Sequence, residues 1–217
     1  MTASAQAGLE SILSRAAVIP VVVIDKAEDG VPLARALLAG GLPVIEITLR
    51  TGAALDAIRA IANEVPEAVV GAGTVLDGAL LKAARESGAR FAVSPGATPR
   101  LLDAADSEGV PLLPGIGTAS EAMALIERGY RFAKFFPAEA SGGPALLASL
   151  ASPLPQLKFC PTGGITHDNA PRYLKLPNVI CVGGSWMVNR ARIAEGDWPS
   201  ISALAKAAAA LHTAPVI

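Results

Sequence analysis

Eight short runs rich in β-branched and small apolar residues recur along the 217-residue chain, about 20 to 27 residues apart. They cover residues 18–24, 44–50, 68–75, 91–95, 111–118, 132–137, 158–163 and 179–186. The first of them is too short and too β-branched for a buried helix, and the others follow in the same alternation. The segments between them, for example 31–39, 53–64, 78–87 and 120–128, are rich in alanine and leucine and read as helices. Eight βα units in series predict the α/β class, as one (β/α)8 barrel domain over residues 1–217. A helix over residues 4–17, with Leu9, Ile12 and Leu13 as its apolar stripe, precedes the first strand. Such barrels typically take roughly 250 residues, so the loops here must be short. The alternative is an open, doubly wound sheet. A dinucleotide site in that fold would need a Gly-x-Gly-x-x-Gly after the first strand, and none is present.

Composition narrows the function. Apolar residues make up 52% of the chain and charged residues 17%, so much of it must be buried. A net charge of -1 with no block of like charges gives no footprint for nucleic acid or a membrane surface. No apolar run approaches the roughly 18 residues of a membrane helix, and the first residues lack a signal-peptide pattern, which predicts a cytoplasmic protein. Cys160 and Cys181 lie in apolar strand-like runs without metal or disulfide spacing and read as buried thiols in a reducing compartment. The two histidines, His167 near a helix start and His212 in the alanine-rich C-terminal stretch, are too few for a histidine-based metal site. Neither a metal nor a cofactor is expected.

Polar residues then appear where a barrel core should be. In residues 44–50, Ile45, Ile47 and Leu49 share one face and Glu46, Thr48 and Arg50 the other. The helix-facing side should be apolar, so Glu46, Thr48 and Arg50 must look inward. They form either a structural Glu46–Arg50 ion pair or part of a site, with Arg50 at the C-terminal end where barrels of this type work. In residues 131–139, Phe132, Lys134 and Phe136 share a face. Lys134 is then either an amine that burial frees as a nucleophile or a lysine snorkelling into water. Gly71-Ala-Gly-Thr74 offers two glycines for close approach of a substrate to the backbone, and a hydroxyl at Thr74. Ser94-Pro-Gly96 and Pro114-Gly-Ile-Gly117 read as tight turns at the mouth. Gly163, Gly164, Gly184 and Ser185 end the last two strands ahead of helical stretches. They are either turn residues or a phosphate cradle of backbone N–H groups and helix N-termini.

A lysine amine with no pyridoxal or metal partner suggests Schiff-base chemistry on a carbonyl, and Arg50 offers a fork suited to a carboxylate. With the cradle, these groups describe a phosphorylated 2-keto acid. The segments Ile45-Glu-Ile-Thr-Leu-Arg-Thr51, Gly71-Ala-Gly-Thr-Val75, Lys134-Phe-Phe-Pro-Ala-Glu139, Phe159-Cys-Pro-Thr-Gly-Gly-Ile165 and Gly183-Gly-Ser-Trp186 resemble those of the 2-keto-3-deoxy-6-phosphogluconate aldolases, which group with the 4-hydroxy-2-oxoglutarate aldolases. The resemblance implies a carbon–carbon lyase in which Lys134 forms the Schiff base and Glu46 is the general acid/base. By the same resemblance Arg50 and Thr74 hold the pyruvate carboxylate, and Thr162 lines the pocket and bears on stereochemistry. Gly163, Gly164, Gly184 and Ser185 fall on the phosphate site. A cytoplasmic homotrimer is implied as well. Gly117 departs from the pattern, in which a serine is common. The gluconate- and galactonate-derived substrates both stay open. So do two other readings: a barrel isomerase or decarboxylase using Lys134 only electrostatically, and a non-catalytic keto-acid or sugar-phosphate binding protein.

Overall fold

Most of the β-branched runs form parallel strands in the computed structural model, which describes residues 3–211. The strands are β1 (Val18–Val22), β2 (Val44–Thr48), β3 (Val69–Gly73), β4 (Ala92–Val93), β5 (Leu112–Leu113), β6 (Gly115–Ile116), β7 (Phe132–Phe135), β8 (Lys158–Pro161) and β9 (Val182–Gly184). They pair in the orders β5-β4-β3-β2-β1-β9 and β6-β7-β8. Two seams close the ring. Bridges from Phe159 to Val179 and from Thr162 to Gly183 join β8 to the β9 side. At the other seam, β5 and β6 are one barrel strand interrupted at Pro114, whose nitrogen has no proton to give to the ladder. The turn expected at residues 114–117 is therefore corrected, because Gly115 and Ile116 pair with Lys134 and Phe135. A Cβ on Gly115 would overlap the backbone of Pro95, so glycine is what lets these segments approach.

Helices cover the outside: α1 (Ala3–Leu13), α2 (Gly30–Ala39), α3 (Ala54–Glu64), α4 (Gly78–Glu86), α5 (Pro99–Glu108), α6 (Ala119–Glu127), α7 (Gly143–Ala151), α8 (Ala170–Leu174), α9 (Arg190–Glu195) and α10 (Trp198–Ala209). Their ends follow local chemistry. Thr118 and Glu121 make a reciprocal capping box at the start of α6, and α2 stops at Gly40 with Gly41 at φ +87°. The first helix ends at Leu13, short of the predicted residue 17, where the Ser14 hydroxyl donates to the Glu10 carbonyl at 2.8 Å. None of these helices is long and apolar enough to cross a membrane.

Apolar side chains form two separate layers. Ile45 and Ile47 point outward into the layer between strands and helices, with Leu37 and Ile58. Val44, Val69 and Phe132, the first residues of their strands, point inward and meet Leu9, Ile12 and Leu13 of α1. The extra helix thus plugs the N-terminal end of the barrel. Leu9 and Leu13 are fully buried there, each worth about 1.5–3 kcal/mol relative to exposure.

Candidate active site

Beyond this plug, toward the C-terminal strand ends, the barrel interior turns polar. Glu46, Thr48, Lys134 and Thr162 are all buried. Strand alternation requires it, because Val44, Glu46 and Thr48 follow one inward face and Phe132 and Lys134 another. Lys134 Nζ donates to Glu46 Oε1 at 3.4 Å, with the two side chains only 6% and 5% exposed. The ammonium position also lies 5.3 Å from the Phe136 ring centre, within cation–π range. Thr48 is committed elsewhere, its hydroxyl donating to the Val22 carbonyl at 2.7 Å. The structural Glu46–Arg50 pair is absent. Arg50 is exposed at the mouth, and its Nε donates to Thr74 Oγ1 at 3.1 Å.

The glycines of β3 serve neighbouring side chains rather than a substrate, which corrects the expectation for Gly71-Ala-Gly73. A Cβ on Gly71 would overlap the Phe91 ring, and one on Gly73 would overlap the Glu46 carboxylate. Gly73 therefore provides the space that Glu46 occupies. Thr74, next in the chain, has φ +59°, a left-handed conformation unusual for a β-branched residue. Such strain persists only where the surroundings hold it, and here it brings Oγ1 to Arg50.

A cleft of about 200 Å³ opens at the mouth. Its lining includes Arg50 and Phe136, Thr162, Gly163, Gly164 and Ile165 after β8, and Gly183, Gly184 and Ser185 at the end of β9. Val21 of β1 and Val23 just beyond it also line it. They were missed in the sequence, although they continue the inward alternation that starts at Ile19. The N–H groups of Gly163, Gly164 and Ser185 have no hydrogen-bond acceptor among the described residues. Unengaged N–H groups around a cleft are the raw material of an anion site. The expected contribution of helix N-termini is corrected: α8 begins only at Ala170 and α9 at Arg190, so loop backbone does the presenting. Gly183 leaves room for Thr162 and Gly184 for the Trp186 ring.

His167 lies in an exposed turn with Nδ1 3.5 Å from Asp168 Oδ1, and His212 falls outside the described residues. Cys160 and Cys181 are buried free thiols, and the neighbouring Cys160 thiol together with burial pushes the Cys181 thiol up. Among the described residues no group of three or more histidines, cysteines and carboxylates could hold a metal ion.

The family model of the KDPG and KHG aldolases matches residues 9–204. The chain belongs to that family. It is 53% identical over 199 residues to the KHG/KDPG aldolase of Escherichia coli (strain K12), covering 92% of this chain and 93% of that one. A crystal structure of the 2-keto-3-deoxy-6-phosphogluconate aldolase of Zymomonas mobilis ZM4 with 3-phosphoglycerate is 48% identical, with a TM-score of 0.92 and coverage of 98% of this chain and 100% of that one. The KDPG aldolase from Legionella pneumophila, with pyruvate captured as a covalent carbinolamine intermediate, is 45% identical with a TM-score of 0.90, covering 92% and 97%. This family member thus combines a buried lysine–carboxylate pair with a cleft in which Arg50 is the one charged lining residue among the described residues.

Proposed function

We propose that this protein is a Schiff-base aldolase that reversibly cleaves 2-keto-3-deoxy-6-phosphogluconate to pyruvate and D-glyceraldehyde 3-phosphate. It also cleaves 4-hydroxy-2-oxoglutarate to pyruvate and glyoxylate. The observation that carries the reading is the Lys134–Glu46 contact of 3.4 Å, buried at the C-terminal end of the barrel where such folds work. Attack on the C2 carbonyl requires the amine in its neutral form, and Glu46 is within reach to take its proton. Addition gives a carbinolamine, and Glu46 returns the proton to its hydroxyl, so that loss of water leaves a protonated imine that withdraws electrons from C3 and a carboxylate free to act again. Glu46, directly or through a water, removes the C4 hydroxyl proton. The C3–C4 bond then breaks, its electrons form the enamine, and the aldehyde leaves. Glu46 returns a proton to C3, and water hydrolyses the imine to release pyruvate and the free amine.

The remaining residues bind. Arg50, steadied by Thr74, offers the pyruvate carboxylate a planar fork, and Thr162 lines the pocket at the reacting carbons. The unengaged N–H groups at Gly163, Gly164 and Ser185, with Gly184 beside them, support a phosphate site at the far wall. We also place the enzyme in the cytoplasm as a homotrimer, with the exposed apolar side chains Leu76 and Met123 as candidates for burial between copies. Light scattering should return three times the 22.0 kDa chain mass.

Borohydride reduction in the presence of pyruvate tests the mechanism. It should inactivate the protein irreversibly and label one lysine, in the peptide 131–139. Lys158 is the natural decoy, because it lies on the next strand. Its amine is exposed, however, and donates to the Pro177 carbonyl at 2.6 Å. A label on Lys158 would overturn the assignment of Lys134, and the absence of any trapped adduct would overturn the covalent mechanism.

A further inference from the structure

We infer that Glu139 and Tyr173 are positioning residues that hold the Gly163–Gly164 loop with its N–H groups turned into the cleft, and so set the affinity for the phosphorylated end of the substrate. The inference rests on the phosphate-site reading above, and it adds residues that line no part of the cleft.

The argument starts from the peptide plane. In a trans peptide the C=O of one residue and the N–H of the next point in opposite directions. The peptides across residues 162–165 are trans. Two successive carbonyls of this loop are taken by one neighbouring segment. The Ala138 N–H donates to the Thr162 carbonyl at 2.8 Å, and the Glu139 N–H to the Gly163 carbonyl at 3.1 Å. The N–H groups of Gly163 and Gly164 must then point away from residues 138–139. The third carbonyl, of Gly164, accepts from Asn169 Nδ2 at 2.9 Å, which secures the far side of the loop. The two glycines need φ +99° and φ +77° to follow this path, a conformation that suits glycine alone.

Residues 138–139 are therefore the template for the loop, and something must fix the template. Glu139 is exposed, yet its side chain does not hang free. The Tyr173 hydroxyl, on the buried ring of a residue in α8, donates to Glu139 Oε1. Burial and the neighbouring carboxylate push the Tyr173 phenol well up, so it remains a donor. The Glu139 stem also fills the space beside Gly164, where an added Cβ would lie 2.8 Å from Glu139 Cβ and Cγ. One side chain thus ties the segment after β7 to the helix after β8, with the loop between them. Neither Glu139 nor Tyr173 reaches Lys134 or Glu46 by any hydrogen bond.

The test compares Tyr173→Phe, Glu139→Ala and Glu139→Gln on phosphorylated 2-keto-3-deoxygluconate and on 4-hydroxy-2-oxoglutarate. Removing the hydroxyl or the carboxylate should raise KM for the phosphorylated substrate about tenfold, the scale of a lost hydrogen bond to a charged group. The value of kcat, the kinetics on 4-hydroxy-2-oxoglutarate and borohydride trapping of pyruvate should not change. Glu139→Gln keeps an acceptor for Tyr173 and the same stem, so it should restore KM to near the parent value. Ser185→Asp serves as the control for the cradle. If Ser185→Asp separates the two substrates while Tyr173→Phe and Glu139→Ala do not, the positioning role is overturned and the cradle stands. If Ser185→Asp weakens both substrates equally, the cradle reading and this inference fall together. Equal losses on both substrates for Tyr173→Phe and Glu139→Ala would mark them as ordinary structural residues and overturn the inference.

Discussion

At the N-terminal end of the barrel, α1 presses Leu9 and Leu13 against Val44, Val69 and Phe132. At the C-terminal end the same three strands present Glu46, Gly73 and Lys134. The step from one environment to the other takes two residues along β2 and β7 and four along β3, one or two repeats of the spacing between side chains on one face. The lower end excludes water and stabilises the fold through apolar contact. The upper end buries a lysine and a carboxylate, an arrangement that replacement by apolar residues often improves in stability terms. A buried ion pair beside a cleft is thus poor evidence of a stability device and good evidence of a working site. The comparison teaches that the two ends should separate cleanly under mutation, one changing turnover and the other stability.

The largest effect on turnover is expected at Lys134. Lys134→Arg keeps the charge but cannot form the imine, so cleavage should fall by orders of magnitude and borohydride should trap no adduct with pyruvate. Glu46→Gln comes next. Its imine should still form and be trapped, while turnover drops about 10²- to 10⁴-fold through lost proton transfer, read in single-turnover kinetics.

Gly73→Ala sharpens the contrast, since it touches neither functional group chemically. Its methyl group would overlap Glu46 Oε1 and force the carboxylate aside, so turnover should fall roughly 10²-fold, as small misplacements at reacting groups do. Near-normal activity in this variant would mean that the observed Glu46 position is not the working one. Ser185→Asp sets a negative charge at the cleft wall and should raise KM for the phosphorylated substrate on the order of 100-fold, with little change for 4-hydroxy-2-oxoglutarate. At the opposite end, Leu13→Ala should cost about 2–5 kcal/mol in denaturant unfolding and leave kcat and KM untouched below the transition. A change in kcat for Leu13→Ala would break the separation of the two ends.

Much of this was legible in the chain because it depends on local period. Alternation within residues 44–50 told inward Glu46 from outward Ile45 and Ile47, and the same rule grouped Lys134 with Phe132 and Phe136 on one face. The βα rhythm announced the barrel, and Gly40-Gly41 marked the end of α2. These features are decided by neighbours a few residues away, where the pattern of side chains speaks directly for the backbone.

What the tertiary structure decided lies between residues far apart in sequence. Lys134 chose Glu46, 88 positions away, rather than leaving Glu46 to Arg50. No local pattern encodes that choice, because it depends on which strands become neighbours across the barrel. The glycines make the same point. Gly71, Gly73 and Gly115 look like turn or ligand residues in the sequence, but each is small because Phe91, Glu46 or Pro95 occupies the space its side chain would need. The left-handed Thr74, the split of the fifth barrel strand at Pro114, and the use of α1 as a plug arise in the same way. Sequence periodicity determined which faces were polar and which apolar. Close packing of the closed barrel determined which polar groups met, because only there do distant side chains compete for the same few ångströms.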